Sequence, residues 1–293
     1  MDSQDFALPF QLERNPVRGR LVRLGPALDR ILAAHAYPPA VATLLGETVA
    51  LTALLASAMK YDGVFILQAQ GDGPIRMMVA DIESGGAIRA CARFDAQRLD
   101  KPSAAAGPVP RLLGAGTLAF TVDQGPDTQR YQGIAELDGA TLADCAHHYF
   151  RRSEQLETAI LLAAGDGRAG GLMLQRMPAE SGIDAEQAEE DWRRAVALAG
   201  SVKPVELLDG SLAPEALLWR LFHEEDVRVF EPQAFHAACR CSRGRVAATL
   251  RSLPRDEVLG LLVEGRVTVT CEFCSRSQVF DEAELRDLFA GAG

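Results

Sequence analysis

Four cysteines near the C-terminal end carry the clearest chemistry in the chain: Cys239-Arg240-Cys241, then 29 intervening residues, then Cys271-Glu272-Phe273-Cys274. Two close thiol pairs can set four thiolates around one Zn²⁺ at about 2.3 Å, in the tetrahedral arrangement that structural zinc prefers. A purely packing role treats such cysteines as small hydrophobes, but two pairs at ligand spacing are hard to produce by packing alone. Zinc thiolates stay nucleophilic towards peroxide or hypochlorous acid unless backbone N–H groups or cations shield them. Arg240, Arg243 and Arg245 are the cations at hand. Spacing leaves a structural site and a redox-sensitive one both open.

The other residues of chemical interest point to no active site, and no catalytic residue or organic cofactor site is expected. Cys91 and Cys145 stand alone and read as inert core thiols. His147 and His148 follow Cys145 closely, but residues two apart on a helix do not face each other, which argues against a nucleophile–base pair. His223 and His236 could be spare ligands, yet four thiolates already fill a tetrahedral sphere. Gly71-Asp72-Gly73 lacks the Lys and the strand-to-helix setting of a phosphate loop and reads as a turn.

Around the quartet, Val267–Thr270 reads as a strand that delivers a tight turn at Cys271–Cys274. The stretch from Gly244 to Gly265 reads as two short helices, with Pro254 near a helix start. Residues 237–293 number 57 and offer little core of their own, so a staple is needed. Zinc binding in such domains is folding energy, on the order of 10 kcal/mol, and losing the metal would unfold the segment.

Upstream, strand and helix patterns alternate from residue 1 to about 178. Pro9–Leu24 is strand-like, Leu28–His35 helical, and Glu47–Tyr61 a longer apolar helix; Val64–Gln70 alternates as a strand. Turn signals at Gly71–Pro74 and Ser84–Gly86 bracket short β-rich runs and predict a hairpin or meander. Lys101–Pro110 reads as a loop, Gly116–Gln124 and Tyr131–Leu137 as strands, and Leu142–Tyr149 as a helix. The expected fold is α+β: a β-sheet core with packed helices, a helical linker and a small C-terminal zinc domain.

The formal charge of −10 is unevenly spread: residues 176–236 hold 13 acids against 6 bases, while 237–293 hold 8 of each. In the acidic stretch Asp184 can cap a helix with Gln187 three residues on, and Ala188, Trp192, Val196 and Ala199 share one face. Pro214–His223 offers Leu217, Leu218, Leu221 and Phe222. Helices this short are marginal in water without a partner surface. The acidic charge opposes binding to phosphates or anionic lipid. The N-terminus lacks a basic region followed by an apolar run, and no stretch approaches roughly 20 uncharged apolar residues. The expectation is a cytoplasmic protein with no nucleic-acid or membrane partner, in a compartment where clustered cysteines mean metal or redox chemistry rather than a disulfide framework.

The C-x-C and C-x-x-C signature, the block Gly46–Ile75, Tyr149–Ile160 and Gly170–Pro178 together resemble the redox-regulated 33-kilodalton heat shock protein family of bacterial holdase chaperones, over essentially the whole chain. That resemblance implies a substrate-binding core (1–178), a metastable acidic helical linker (179–236) and a redox-switch zinc domain (237–293). It implies one Zn²⁺ per chain in the reduced form, held by Cys239, Cys241, Cys271 and Cys274. Oxidation then pairs Cys239 with Cys241 and Cys271 with Cys274, releases zinc, unfolds the linker and converts monomer to homodimer. Unfolded client proteins bind without ATP. Gln278 stands where the family often has an aromatic residue, which could loosen packing near the site while leaving the ligands intact. Two rivals remain. A zinc-ribbon nucleic-acid module is disfavoured by the neutral C-terminal segment and its lack of interleaved aromatics. A thiol oxidoreductase using Cys271–Cys274 is disfavoured because that motif does not open a helix after a strand.

Overall fold

In the first unit, apolar residues at alternating positions drive strand formation, and one helix that is apolar on every side fills the space between two sheets. The computed structural model describes residues 4–14, 16–99, 107–125, 128–178 and 185–290. The chain divides into two units, Met1–Ala237 and Ala238–Gly293. The residues expected as a linker therefore pack within the first unit, apart from 179–184, which lie outside the described residues together with the Asp184 cap.

The first unit runs β1 (Phe6–Leu12), β2 (Val17–Leu24), α1 (Pro26–Leu32), α2 (Pro39–Ala58), β3 (Val64–Gly71), β4 (Ile75–Glu83), β5 (Ala87–Phe94) and α3 (Ala96–Leu99). It continues with β6 (Gly116–Asp123), β7 (Tyr131–Glu136), α4 (Leu142–Tyr149), β8 (Thr158–Gly165) and β9 (Arg168–Arg176). The acidic stretch then supplies α5 (Ala185–Gly200), α6 (Pro204–Leu208), α7 (Pro214–Phe222), β10 (Val227–Val229), β11 (Gln233–Ala234) and β12 (His236–Ala237). The strands form two sheets, ordered β10-β1-β2-β9-β8 with β11 also on β1, and β12-β5-β4-β3-β6-β7. Among the described residues, only the β12–β5 pair is parallel. The fold class is α+β.

Pro9–Leu24, which reads as one strand-like stretch, is a hairpin of β1 and β2 paired from Phe6↔Arg23 to Leu12↔Val17. Pro16 lies in the turn, since it fixes φ and donates no hydrogen bond to a ladder. The β3–β4–β5 meander turns where the glycine and proline signals stand. Two other expectations need correcting. Helix α2 starts at Pro39 rather than Glu47, with proline in its first turn, where a missing N–H costs nothing. Within the expected loop Lys101–Pro110, residues 101–106 lie outside the described ones, and a wide helical turn over Val109–Leu113 begins before the loop was to end.

Helix α2 has the length and apolarity to cross a membrane, but 72% of that window is buried inside the fold. Its core cluster takes residues from both sheets, among them Val22, Met173, Leu67 and Ala80. Its buried hydroxyls are spent locally, Thr48 on the Leu44 carbonyl at 2.8 Å and Thr52 on the Thr48 carbonyl at 2.6 Å. That keeps polar groups from being orphaned in the core.

Alternation gives the first sheet a second apolar face: Leu8, Phe10 and Leu12 of β1, Val17 and Leu21 of β2, and Leu172 and Leu174 of β9. Helices α5–α7 cover it with Trp192, Ala195, Ala199, Leu207, Leu217, Leu218, Leu221 and Phe222. Phe222 stacks on Phe10 with ring centroids 5.7 Å apart. At Gly170 a Cβ would stand 2.7 Å from the Leu207 carbonyl, so α6 lies directly on β9. Arg23, 5% exposed, donates to the Leu212 carbonyl and, at 3.0 Å, to the Glu206 carbonyl. Arg194 bonds the buried Glu225 at 2.6 Å, and Arg176 of β9 bonds Glu189 of α5 at 2.7 Å. Gly86, at φ +85, passes under the Ala234 carbonyl where a Cβ would stand at 2.3 Å, letting β11 and β12 reach both sheets.

The second unit contains α8 (Arg243–Arg251), α9 (Arg255–Gly260), β13 (Arg266–Thr270), β14 (Ser277–Asp281) and α10 (Glu282–Ala290). Its buried apolar cluster is Leu250, Val258, Val267, Phe280 and Leu285.

Candidate metal centre

Cys239 and Cys241 lie in the extended segment that enters α8, whose first turn is fixed by Ser242 accepting the Arg245 N–H at 3.2 Å. Cys271 and Cys274 sit in the tight turn between β13 and β14. There the Cys271 N–H donates to the Arg276 carbonyl at 3.0 Å and the Ser275 N–H to the Cys271 carbonyl at 2.8 Å. Ser275 takes the left-handed conformation, φ 55, that such a turn demands.

The four sulfurs all lie within 4.8 Å of one another. Cys239 and Cys271 are 3.7 Å apart, Cys241 and Cys274 3.3 Å. A tetrahedral ion with 2.3 Å bonds to sulfur spaces its ligands about 3.8 Å apart, so the donor set and its spacing fit one zinc-sized ion. Four half-buried cysteines are thus positioned to bind a metal ion.

Without the metal, burial pushes the Cys241 thiol up to about 12, helped by hydrogen bonds from the other three cysteines. Burial also acts to raise Cys274, but the Arg276 side chain and backbone N–H outweigh it and bring this thiol down to about 6. Arg276 Nε donates to Cys274 Sγ at 3.5 Å. Among the arginines expected to shield the thiolates, Arg243 has its guanidinium elsewhere and Arg245 contributes its backbone N–H. Arg243 lies 4.3 Å over the Phe280 ring and donates to the Val279 carbonyl at 2.8 Å, and the Arg245 N–H caps α8. Arg276 was missed, although its place two residues after Cys274 is the signal that would have found it. Gln278 is half-buried on β14 opposite Val269.

Cys91 (β5) and Cys145 (α4) are buried, and burial pushes the Cys145 thiol up to about 12, which disarms it as a nucleophile. His147 Nδ1 hydrogen-bonds the Thr158 carbonyl at 2.7 Å instead of meeting that thiol. The His223 ring packs against Trp219, 5.2 Å between centroids, and His236 extends β12; both lie in the first unit.

Fold and site define a two-unit α+β protein whose small C-terminal unit is built around a four-thiol metal centre. The family model described as "Hsp33 protein" matches residues 5–281. The 33 kDa chaperonin of Pseudomonas fluorescens is 43% identical over 291 residues, covering 99% of this chain and 95% of that one. The 33 kDa chaperonin of Caulobacter vibrioides is 40% identical over 293 residues, covering 94% and 95%. The crystal structure of the 33 kDa chaperonin (heat shock protein 33 homolog) of Thermotoga maritima shares the fold, with a TM-score of 0.80 at 23% identity over 99% of both chains. This chain belongs to the Hsp33 family of chaperones, whose clients are unfolded proteins and which are not enzymes.

Proposed function

We propose that this chain is a cytoplasmic, redox-regulated, ATP-independent holdase. In its reduced, monomeric form Cys239, Cys241, Cys271 and Cys274 hold one Zn²⁺, which supplies the folding energy that the second unit lacks. Oxidation by peroxide joins Cys239 to Cys241 and Cys271 to Cys274; each pair of thiolates gives up two electrons to one peroxide, which takes two protons from solvent and leaves as two waters. The nearest sulfurs, Cys239 to Cys271 and Cys241 to Cys274, cross between the pairs. Disulfides across the pairs would tie the β13–β14 turn to the segment before α8, whereas disulfides within the pairs leave the two unconnected. The within-pair linkage, taken from the family resemblance, therefore removes the staple.

Residues 1–178 act as the client-binding core, 179–236 as the linker and 237–293 as the switch. When the switch unfolds, α5–α7 leave the sheet, uncovering Leu8, Phe10, Leu12, Leu21, Leu172 and Leu174. Clients bind this surface, and the oxidised form dimerises. The observation that carries the reading is four thiols within 4.8 Å in a unit whose buried apolar cluster has five members. Peroxide treatment of the zinc-loaded protein at mild heat tests it, with zinc release, thiol loss and suppression of aggregation of an unfolded protein measured together. All three should rise in step; full zinc release with no gain in suppression would sink the switch.

A further inference from the structure

Strand β1 carries a proline at its centre, Pro9, and within sheets proline is confined to edges and bulges, where its missing N–H breaks no central ladder. One edge of β1 is paired along its whole length with β2. The other is covered only by β10 and β11, two short strands of the acidic stretch. That cover fits badly. β11 sets Ala234 against Phe6 and Gln233 against Ala7, while β10 sets Val229, Arg228 and Val227 against Phe10, Gln11 and Leu12. The two registers differ by one residue, so Phe230, Glu231 and Pro232 stand opposite Leu8 and Pro9 alone. Phe230 donates its N–H to the Pro9 carbonyl at 2.9 Å, and Pro232 has no N–H to give.

Alternation gives β1 two separate tasks. The Asp5 carbonyl accepts the Phe235 N–H at 2.9 Å, and the Glu13 N–H donates to the Asp226 carbonyl at 3.0 Å. With the Pro9 bond, these fix the odd-numbered residues, Ala7 and Gln11 included, as the ones that turn backbone groups to this edge. The even-numbered Leu8, Phe10 and Leu12 turn their side chains onto the apolar face under α5–α7. An antiparallel strand laid on this edge therefore bonds through the residues opposite Ala7, Pro9 and Gln11, and sends the residues between them onto that same face. β10 already does this: Val227, opposite Leu12, packs into the same apolar cluster.

We propose that β10 and β11 stand in for a client, and that the β1 edge is where an extended, alternately apolar segment of an unfolded chain adds as a new strand. This rests on the reading that α5–α7 leave when the switch opens, because β10 and β11 follow α7 in the chain. Backbone hydrogen bonds demand no particular client sequence, and the uncovered apolar face receives every second side chain. A continuous segment spans all seven residues of β1 without the one-residue slip that β10 and β11 leave at Leu8 and Pro9.

The test uses the full-length protein, zinc-loaded and then activated by peroxide at mild heat. The probe is a peptide of alternating valine and threonine, matched to β1 in length and begun and ended on valine, with a lysine added at each end. Activation should speed amide exchange at Ala7 and Gln11, and the peptide should restore protection there. Its threonines would carry the N–H groups that face β1, so N-methylation of the threonines should weaken binding at least about tenfold, and N-methylation of the valines should change it little. Arg228→Pro removes the N–H that β10 offers Gln11 and leaves β1 intact, so the reduced, zinc-loaded variant should bind the peptide about five- to tenfold more tightly than reduced wild type. Gln11→Pro removes the outward N–H of β1 itself and spares the β2 ladder; it should weaken binding to the activated protein by a similar factor. Equal binding of the two methylated peptides, or peptide binding with Ala7 and Gln11 still exchanging fast, would overturn the proposal. So would protection that returns with protein concentration and no peptide, which would give the edge to a second copy. Ala7 and Gln11 still protected in the oxidised wild type would contradict the switch instead, and the reduced Arg228→Pro protein then decides the edge by itself.

Discussion

The first sheet has two apolar faces with opposite kinds of cover. Helix α2, 20 residues long and joined to β3 by a short turn, covers one face and is wedged against the second sheet as well, so nearly every side of it is buried. Helices α5–α7 cover the other. They run 16, 5 and 9 residues, are acidic on their outer side, and are followed by three strands of two or three residues each. The second cover does not enter the space between the sheets. The proposed switch requires that α5–α7 open while the core beneath stays folded.

The largest test of this contrast pairs two truncations. Leu51→Ala in α2 and Phe222→Ala in α7 both empty fully buried sites, costing about 2–5 and 3–5 kcal/mol respectively. Leu51→Ala should lower the urea midpoint of the whole first unit. Phe222→Ala should instead appear as opening of α5–α7 alone, with aggregation suppression already present in the reduced protein. Equal shifts of one cooperative transition would erase the distinction between the covers.

Next in size is Arg194→Met, which removes a charged partner of Glu225, a residue 2% exposed. Leaving that carboxylate short of a donor should cost about 2 kcal/mol, read by hydrogen exchange as faster opening of α5–α7 and no change in α2.

The two covers should also answer pH with opposite signs. Burial raises the Glu47 carboxyl of α2 to about 7, so the folded state holds a proton that the unfolded chain has lost. Stability from this group is present below about 4.5 and falls as pH rises to about 7; Glu47→Gln should flatten that slope in urea titrations. In α5, hydrogen bonding to Arg176 is the main cause holding Glu189 below its usual range. Its contribution is present above the ordinary carboxylate range and is lost as pH falls through the depressed value, so acid should loosen this cover first. Hydrogen exchange at acidic and neutral pH checks both signs.

The smallest effect is spectroscopic. Both tryptophans lie in the acidic stretch, but Trp192 is 8% exposed and Trp219 already 68%. A red shift on activation should therefore survive Trp219→Phe and vanish in Trp192→Phe.

The removable cover was easier to read in the sequence than the sheet beneath it. Period 3.6 put Ala188, Trp192, Val196 and Ala199 on one face; Val196 is partly buried and the other three are buried, as are Leu217, Leu218, Leu221 and Phe222. Strands β10 and β11, at three and two residues, are too short to show a period, so nothing local revealed that the acidic stretch is sewn onto β1. The pairing of β2 with β9 joins residues some 150 apart and leaves no local mark. At the metal centre, spacing singled out the four cysteines that the fold gathers within 4.8 Å. The cation beside them is Arg276 because the β13–β14 turn folds its side chain back onto Cys274, a matter of turn geometry that composition does not encode.

The most direct test is hydrogen exchange on the zinc-loaded protein before and after peroxide treatment at mild heat, with zinc release followed in the same samples. The account predicts that exchange in residues 185–237 rises sharply as zinc leaves, while α2 and strands β2 and β9 keep their protection. Zinc release with residues 185–237 still protected, or loss of protection in α2 at the same rate, would contradict it.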